Sequence, residues 1–309
     1  DNPHYLKRVW CVFELFVANT ESGVVADIII PKEQEIKMIE SLGDVENLLG
    51  VLSKTKIENA DASKEEDKKN ILALVKKDIG FGVLNSKVNA LLREWIKGIL
   101  MGVVDEQSKA ESDNDLDNAK MLYNIGEAFR RIGDYDEAME TFKQALDIRK
   151  RVLGEEGMDE DVDTAAVYNG IGNVKYAKGD YNGALKMHEQ ALEIRKKVLG
   201  EEHASTADSY NNIGNVKYAK GDYNGALKTH EQALEIRKKV LGEEHADTAD
   251  SYNNIGAVKY AKGDYNGALD MYEQALEIFK KVFGEDHPST LITSRNIARA
   301  KIAMRNEHN

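Results

Sequence analysis

Cysteine and long apolar runs are what this sequence has least of. Of its 309 residues only Cys11 is a cysteine, which excludes an intramolecular disulfide and a cysteine-rich zinc site. A reducing compartment, the cytoplasm, is therefore the expected location. Since no apolar stretch approaches the roughly 18 residues that a membrane span requires, no membrane segment is predicted. The chain begins with Asp1 and shows no signal or transit segment, which favours a fragment or a processed product.

Catalytic motifs and excess basic charge are also missing. The sequence contains no Walker loop and no G-x-G-x-x-G, H-E-x-x-H or G-x-S-x-G segment. The net charge is −12, and residues 1–100 carry 14 basic and 16 acidic residues, so −10 of that charge lies in residues 101–309. An acidic chain argues against general binding to nucleic acid or anionic membranes. We therefore expect a protein that is not an enzyme and needs no cofactor or metal.

What the sequence does contain is a repeat with a period of 42 residues. The positions that recur at this spacing include Tyr168, Tyr210 and Tyr252, and likewise Gly179, Gly221 and Gly263. Strict self-similarity of this kind is typical of stacked-repeat proteins, in which each unit buries its apolar face against the next. Such arrays present an extended concave surface to another chain, so a protein partner is expected.

Each repeat unit is predicted to hold two amphipathic helices. One apolar series at helical spacing starts at Tyr210, and a second starts at Tyr223 and ends at Gly242. Between them, Gly221 suits the left-handed backbone that follows a helix end, and Asp222 can cap the next helix. The unit therefore predicts a helical hairpin.

These segments identify a family. They resemble the tetratricopeptide repeat, normally about 34 residues long, at Tyr210-x-x-Ile213-Gly214, Gly221-x-Tyr223-x-x-Ala226 and Ala233-Leu234. The longer unit, with Asn-Asn-Ile-Gly and Leu-Gly-Glu-Glu-His, is similar to the repeats of kinesin light chain. The resemblance covers residues 115–304. It implies a mostly α-helical, right-handed solenoid of four helix pairs, followed by a capping helix from Thr290 to Met304.

The remaining segments complete the predicted domain organisation. Residues 1–104 are expected to form a partial α/β domain, because an apolar run at 25–30 predicts a strand among helices. Residues 105–117 are acidic and polar and predict a linker, residues 118–304 the repeat array, and residues 305–309 a disordered tail.

One N-terminal segment carries a second resemblance. Trp10-Cys11-x-x-Glu14-Leu15 is similar to a segment of TIR domains, whose NAD-cleaving members use this Glu in catalysis. The resemblance implies a catalytic Glu14 only if the chain is a TIR-like remnant. The alternative is an ordinary core helix in which Glu14 is structural. The missing strands of such a site lead us to predict no active enzyme in this chain.

The tetratricopeptide resemblance also implies which side chains line the concave groove. In this family the first helix of each pair faces the groove, at positions three before, one after and four after its glycine. Carried onto this sequence they are Tyr123, Glu127 and Arg130; Asn169, Asn173 and Tyr176; Asn211, Asn215 and Tyr218; Asn253, Ala257 and Tyr260; and Arg295 and Arg299.

An extended peptide suits this pattern of asparagines and tyrosines with arginines at both ends. A carboxamide pairs with a peptide main chain, a tyrosine adds apolar area, and an arginine binds carboxylates. An acidic or C-terminal segment is therefore the expected ligand. The alternative is that the identical asparagines reflect duplication and are only solvated, while the tyrosines pack between repeats.

Three functions remain open at this level. The first is a scaffold or adaptor that binds a partner's peptide, and the second is a fragment of a TIR-like signalling protein. The third is a cargo adaptor like kinesin light chain, but residues 1–115 contain no sustained heptads with which to hold a motor chain. The oligomeric state is left open. The loop histidines His203, His245 and His287 lie one repeat apart, too far for a shared metal, and a structural role is expected for them.

Overall fold

The computed structural model of the chain describes residues 115–307 and scattered helical residues between 90 and 104. Two compact units are present, residues 1–145 and residues 146–309. The predicted strand at 25–30 and the segment around Glu14 lie outside the described residues.

From Asp115 onwards the described residues form nine consecutive helices. They are α1 (Asp115–Ile132), α2 (Tyr135–Met158), α3 (Val162–Ala177), α4 (Tyr181–Leu199), α5 (Ala204–Ala219), α6 (Tyr223–Val240), α7 (Ala246–Ala261), α8 (Tyr265–Phe283) and α9 (Pro288–Glu307). The first eight pair as four hairpins, and α9 is a first-type helix at the end of the array. The predicted solenoid of tetratricopeptide hairpins is thus confirmed. Helix α1 already includes the last three residues of the segment predicted as a linker, and α9 extends into the predicted tail.

Glycine and aspartate form the turn inside each hairpin. Gly221 has a φ of 79°, in the left-handed region that disfavours side chains. Directly after it, the Asp222 carboxylate accepts a hydrogen bond from the Gly225 N–H at 2.9 Å and caps α6. The roles predicted for Gly221 and Asp222 are confirmed.

Histidines cap the helices that open the later repeats. The Nδ1 atom of His203 accepts a hydrogen bond from the Ser205 N–H at 3.1 Å, and His245 does the same for the Asp247 N–H at 3.1 Å. His287 repeats the arrangement at the start of α9. The structural role expected of these loop histidines is confirmed, since each supplies an acceptor to an otherwise unpaired N–H at a helix start.

The two helices of a hairpin approach closely because a glycine in the first faces a ring in the second. A Cβ atom added at Gly214 would lie 2.6 Å from the His230 ring, and one added at Gly256 would lie 2.8 Å from the Tyr272 ring. The ring positions of the four hairpins are Phe142, His188, His230 and Tyr272. Each is buried at 3% exposure or less, so this contact forms the core of every hairpin.

Within the first unit, the helical residues before the array contact the first hairpin. The Lys97 ammonium donates hydrogen bonds to Asp134, at 3.3 Å, and to Glu137. The bond to Glu137 raises the pKa of Lys97. Leu100, another described helical residue, is fully buried. The Lys97 bonds join the described helical residues before the array to the first hairpin.

Candidate peptide-binding groove

The first asparagine of each predicted groove set lies between repeats. The Asn169 Oδ1 atom accepts a hydrogen bond from the Asn212 amide at 2.8 Å, and the Asn211 Oδ1 atom accepts one from Asn254 at 2.9 Å. Asn253 accepts a longer one, 3.3 Å, from Asn296. We name the six residues Asn169, Asn211, Asn212, Asn253, Asn254 and Asn296 the amide ladder. It joins the first helices of neighbouring repeats and engages the carbonyl oxygens of the three predicted residues.

The second asparagine of each set has a different environment. Asn173 and Asn215 lie one helical turn further along α3 and α5 and are partly exposed. Their carboxamides form no side-chain hydrogen bond with any residue between 115 and 307. Both groups are therefore available to donate and accept hydrogen bonds, as a peptide main chain requires.

Each predicted groove tyrosine packs on the tyrosine that opens the second helix of its own hairpin. Tyr176 contacts Tyr181 and Tyr218 contacts Tyr223, both with ring centroids 5.5 Å apart. Tyr260 contacts its counterpart in α8 at 5.2 Å. These contacts join helices within one hairpin. Tyr176 and Tyr218 remain 37% exposed, so each presents a fixed ring surface.

Partial burial and neighbouring tyrosines raise the pKa of Tyr176. The neighbours that contribute are Tyr181 of the same hairpin and Tyr218 of the next. The hydroxyl therefore stays protonated and can donate a hydrogen bond at neutral pH.

Arginines lie at the C-terminal end of the second unit. The Arg299 guanidinium is 5.6 Å from the centre of the Tyr260 ring, in cation–π geometry. Arg295 is exposed. It occupies the position that Asn211 and Asn253 have in their repeats, where the amide oxygen bonds to the first helix of the next repeat.

In the first unit, the three predicted groove residues contact their own hairpin. The Arg130 guanidinium binds the Glu127 carboxylate of α1 through two atoms, at 3.0 and 2.8 Å, and this pairing raises the pKa of Arg130. Tyr123 packs on the Phe142 ring with centroids 5.8 Å apart. The charge of Arg130 is thus partly neutralised within its own helix.

A set of buried arginines was not anticipated from the sequence. Arg149, Arg195 and Arg237 are between 2% and 9% exposed. Arg195 Nη1 donates hydrogen bonds to the Ser205 carbonyl, at 2.9 Å, and to the Ser209 hydroxyl, at 2.8 Å. Each arginine lies in the C-terminal half of a second helix and reaches the start of the next hairpin. The signal available was the recurring Ile-Arg-Lys segment, whose arginine occupies the position at which the fourth hairpin has Phe279.

Two negative findings concern the described part of the chain. Between residues 115 and 307, and at the described positions before them, no group of three or more His, Cys, Asp or Glu side chains is placed to hold a metal ion. Of the helices that the structure describes, none is long and apolar enough to cross a membrane.

The arrangement defines a class of protein. In the second unit, buried hydrogen bonds join consecutive helical hairpins, and the first helices carry periodic polar and aromatic side chains. The family comparison agrees with this class. The tetratricopeptide repeat model matches residues 104–158, 163–239, 209–281 and 247–308. The chain belongs to the tetratricopeptide repeat family, whose members serve as scaffolds for protein–protein interaction.

Solved structures share the fold. BtubC (BKLC) from P. vanneervenii superposes with a TM-score of 0.55 at 20% identity, over 84% of this chain and 95% of that one. A Podosopora anserina protein described as a kinesin light chain, with nearly identical TPR-like repeats, gives a TM-score of 0.54 at 24% identity. That match covers 64% of this chain and 91% of the other. No curated protein sequence matches the chain. The similarity to kinesin light chain-like repeats noted in the sequence is confirmed at the level of fold.

Proposed function

We propose that the protein is an adaptor of a reducing compartment such as the cytoplasm, and that its first helices bind an extended peptide segment of a partner protein. The proposal rests on two side chains that occur together on successive first helices. One is an asparagine whose carboxamide forms no side-chain hydrogen bond with residues 115–307, and the other is a tyrosine whose ring packs on a neighbouring tyrosine. Asn173 and Tyr176 form this pair on α3, and Asn215 and Tyr218 form it on α5.

The chemistry of this row suits a peptide main chain. A carboxamide can donate to a carbonyl and accept from an N–H whatever the side chains of the peptide are. A tyrosine held by its neighbour loses little conformational entropy on binding and contributes a large amphipathic contact. Because the pair occurs on both α3 and α5, an extended chain would meet the same contacts in two successive repeats.

The charge at the C-terminal end favours an acidic peptide or a peptide carboxylate. Arg299 lies beside Tyr260 on the same series of first helices, with its guanidinium exposed. A carboxylate there would gain a charge-assisted hydrogen bond. The surrounding array is acidic, so a carboxylate is expected to bind at this end and not along the outer faces.

The test is selection of peptides from a random library by the full chain, followed by affinity measurements with variants. Tyr176→Ala with Tyr218→Ala, and separately Asn173→Ala with Asn215→Ala, should weaken the selected peptides by about tenfold or more. Substitution of the amide ladder is unsuitable for this purpose, because it would also disturb the contact between repeats.

Matched control residues occur on the second helices. Asn182 and Asn224 are exposed, and each accepts a hydrogen bond only from a lysine of the next hairpin among the described residues. Their replacement by alanine should leave peptide affinity unchanged. Equal loss in the control and groove variants, or selected peptides that bind all variants equally, would contradict the proposal. Selection of peptides irrespective of their charge would contradict only the proposed preference for acidic peptides.

A further inference from the structure

Among the residues that the structure describes, helix α9 is packed on one side only. Thr290, Thr293 and Ala300 are at most 1% exposed and face the array. The other side carries Leu291 and Ile302, whose side chains are 44% and 58% exposed. No helix among the described residues covers that side.

The equivalent positions of α7 show what normally covers it. In the repeat, Leu291 corresponds to Ala249 and Ala298 to Gly256. Ala249 is fully buried and packs against Ala275 and Ile278 of α8, the second helix of its hairpin. The exposed side of α9 therefore corresponds to the surface on which the second helix of a hairpin packs.

This side of α9 is basic as well as apolar. Leu291, Arg295, Ala298, Ile302 and Arg305 follow one another at alternating spacings of four and three residues, which places them on one helix face. We name these five residues the α9 seat. Arg295 and Arg305 form no ion pair with any residue the structure describes. A second copy of α9 would bring arginines against arginines, so charge disfavours self-association and favours an acidic helix.

The size of Ala298 further restricts the occupant. In α7 a Cβ atom at Gly256 would lie 2.8 Å from the Tyr272 ring, and Ala298 carries that Cβ atom. A helix that packs on α9 as closely as the two helices of a hairpin pack on each other must therefore have a small residue at this position. The four hairpins have Phe, His or Tyr there. A second helix taken from another copy of this chain would clash.

In the bound helix, the residue that corresponds to His188 would lie within reach of Arg295. In the second hairpin, the ring nitrogen Nδ1 of His188 is 3.1 Å from the Oδ1 atom of Asn169, and Asn169 is the counterpart of Arg295 in the repeat. A short carboxylate at the position of His188 would avoid Ala298 and face the Arg295 guanidinium. Aspartate satisfies both requirements.

We propose that the α9 seat binds an amphipathic helix of a partner protein, with an aspartate at its centre and further acidic residues beside its apolar stripe. The helix takes the place of a fifth second helix. The seat shares Arg295 with the residues predicted for the groove, but it contains none of Asn173, Tyr176, Asn215 and Tyr218, so variants of those four residues test the groove separately.

The test uses two synthetic peptides and the full chain. The first peptide has the sequence of α8, Tyr265–Phe283, and the second is the same peptide with Tyr272→Asp. In fluorescence anisotropy the aspartate peptide should bind at least about tenfold more tightly than the unmodified one. The protein variant Ala298→Gly should reduce that preference, since it makes room for the ring.

Protein variants then locate the contact. Leu291→Asp and Arg295→Glu should each weaken the aspartate peptide by about tenfold. Val240→Asp is the matched control, because Val240 is 42% exposed on α6, away from the seat. Circular dichroism would confirm that each variant keeps its helices.

Three outcomes overturn the proposal. They are no binding of the aspartate peptide, equal binding to the Leu291→Asp and Val240→Asp variants, and a preference for the tyrosine peptide. A fourth is a dimer in sedimentation equilibrium that Leu291→Asp dissociates, which would show that a second copy occupies the seat. The outcome of this test does not depend on whether the Tyr176 and Tyr218 variants lose their affinity for the groove peptides.

Discussion

The second and third hairpins bury different side chains from the fourth. Helices α4 and α6 bury Arg195 and Arg237 near their ends, whereas α8 has Phe279 at that position. The ring that faces the first helix is a histidine in the second and third hairpins and Tyr272 in the fourth.

The arginines join each hairpin to the next one. Arg237 Nη1 donates hydrogen bonds to the Asp247 carbonyl and the Ser251 hydroxyl, both at 2.9 Å, and Nη2 donates to Asp208 at 2.7 Å. Phe279 cannot form such bonds and instead stacks on Phe283 with centroids 6.1 Å apart. At this position the second and third hairpins thus use a polar, directional side chain, while the fourth hairpin has an apolar ring. Directional contacts define register, and apolar contacts tolerate variation.

The largest expected effect is a loss of stability at acidic pH, which depends on the histidines of the second and third hairpins. Burial lowers the pKa of His188 and of His230 to about 4, and the nearby Arg195 and Arg237 charges contribute. In the unfolded chain a histidine titrates near pH 6.5. Between these values the unfolded chain binds protons that the folded chain does not. The free energy of unfolding therefore falls as the pH falls from 6.5 towards 4, by up to about 3 kcal/mol for each histidine.

Urea unfolding at about pH 7 and about pH 5 measures this loss. The double variant His188→Phe, His230→Phe, which copies Phe142 of the first hairpin, should show a clearly smaller loss. If the variant and the wild type lose the same stability, the two histidines are not the cause.

A smaller effect is expected when the polar contact is broken. Arg237→Ala should lower the free energy of unfolding by about 2–3 kcal/mol, because it removes buried hydrogen bonds and leaves a cavity. The cost stays below that of a fully buried ion pair, since Asp208 is 50% exposed and water can solvate its carboxylate.

Arg237→Phe, which copies Phe279, is the informative companion variant. It should retain more stability than Arg237→Ala in thermal or urea denaturation, since it fills the space without the bonds. Equal stability of Arg237→Ala and the wild type would mean that the arginine contact contributes nothing.

The smallest effect distinguishes α7 from α9. Gly256→Ala should cost about 1–3 kcal/mol, because the new Cβ atom meets the Tyr272 ring. The reverse change at the equivalent position, Ala298→Gly, should cost about 1 kcal/mol or less, the difference in helix propensity alone. Urea denaturation of both variants provides the comparison. A larger loss in Ala298→Gly would indicate that a side chain already packs on α9.

The architecture of the array was predictable from the sequence because its determinants are local. Gly221 and Asp222 end one helix and start the next through contacts within a few residues, and the apolar spacing defines which face each helix buries. Four hairpins and a final helix followed from these signals alone.

The groove residues were predictable only in part. The tetratricopeptide resemblance assigned both Asn169 and Asn173 to the groove side of α3, but it did not distinguish them. Asn169 bonds to Asn212, 43 positions away, whereas Asn173 has no partner among residues 115–307. A partner so distant in the chain depends on how two hairpins stack.

By itself, then, the sequence determined the repeat, its helices, their turns and the tetratricopeptide family, since each depends on spacing and backbone preference. The tertiary structure alone decided which asparagines bond across repeats, which arginines are buried and which side of α9 is left exposed by the helices that the structure describes. The reason is physical. A side chain's solvation and hydrogen bonds depend on the helices that pack on it, and in a solenoid those helices belong partly to neighbouring repeats that are distant in the sequence.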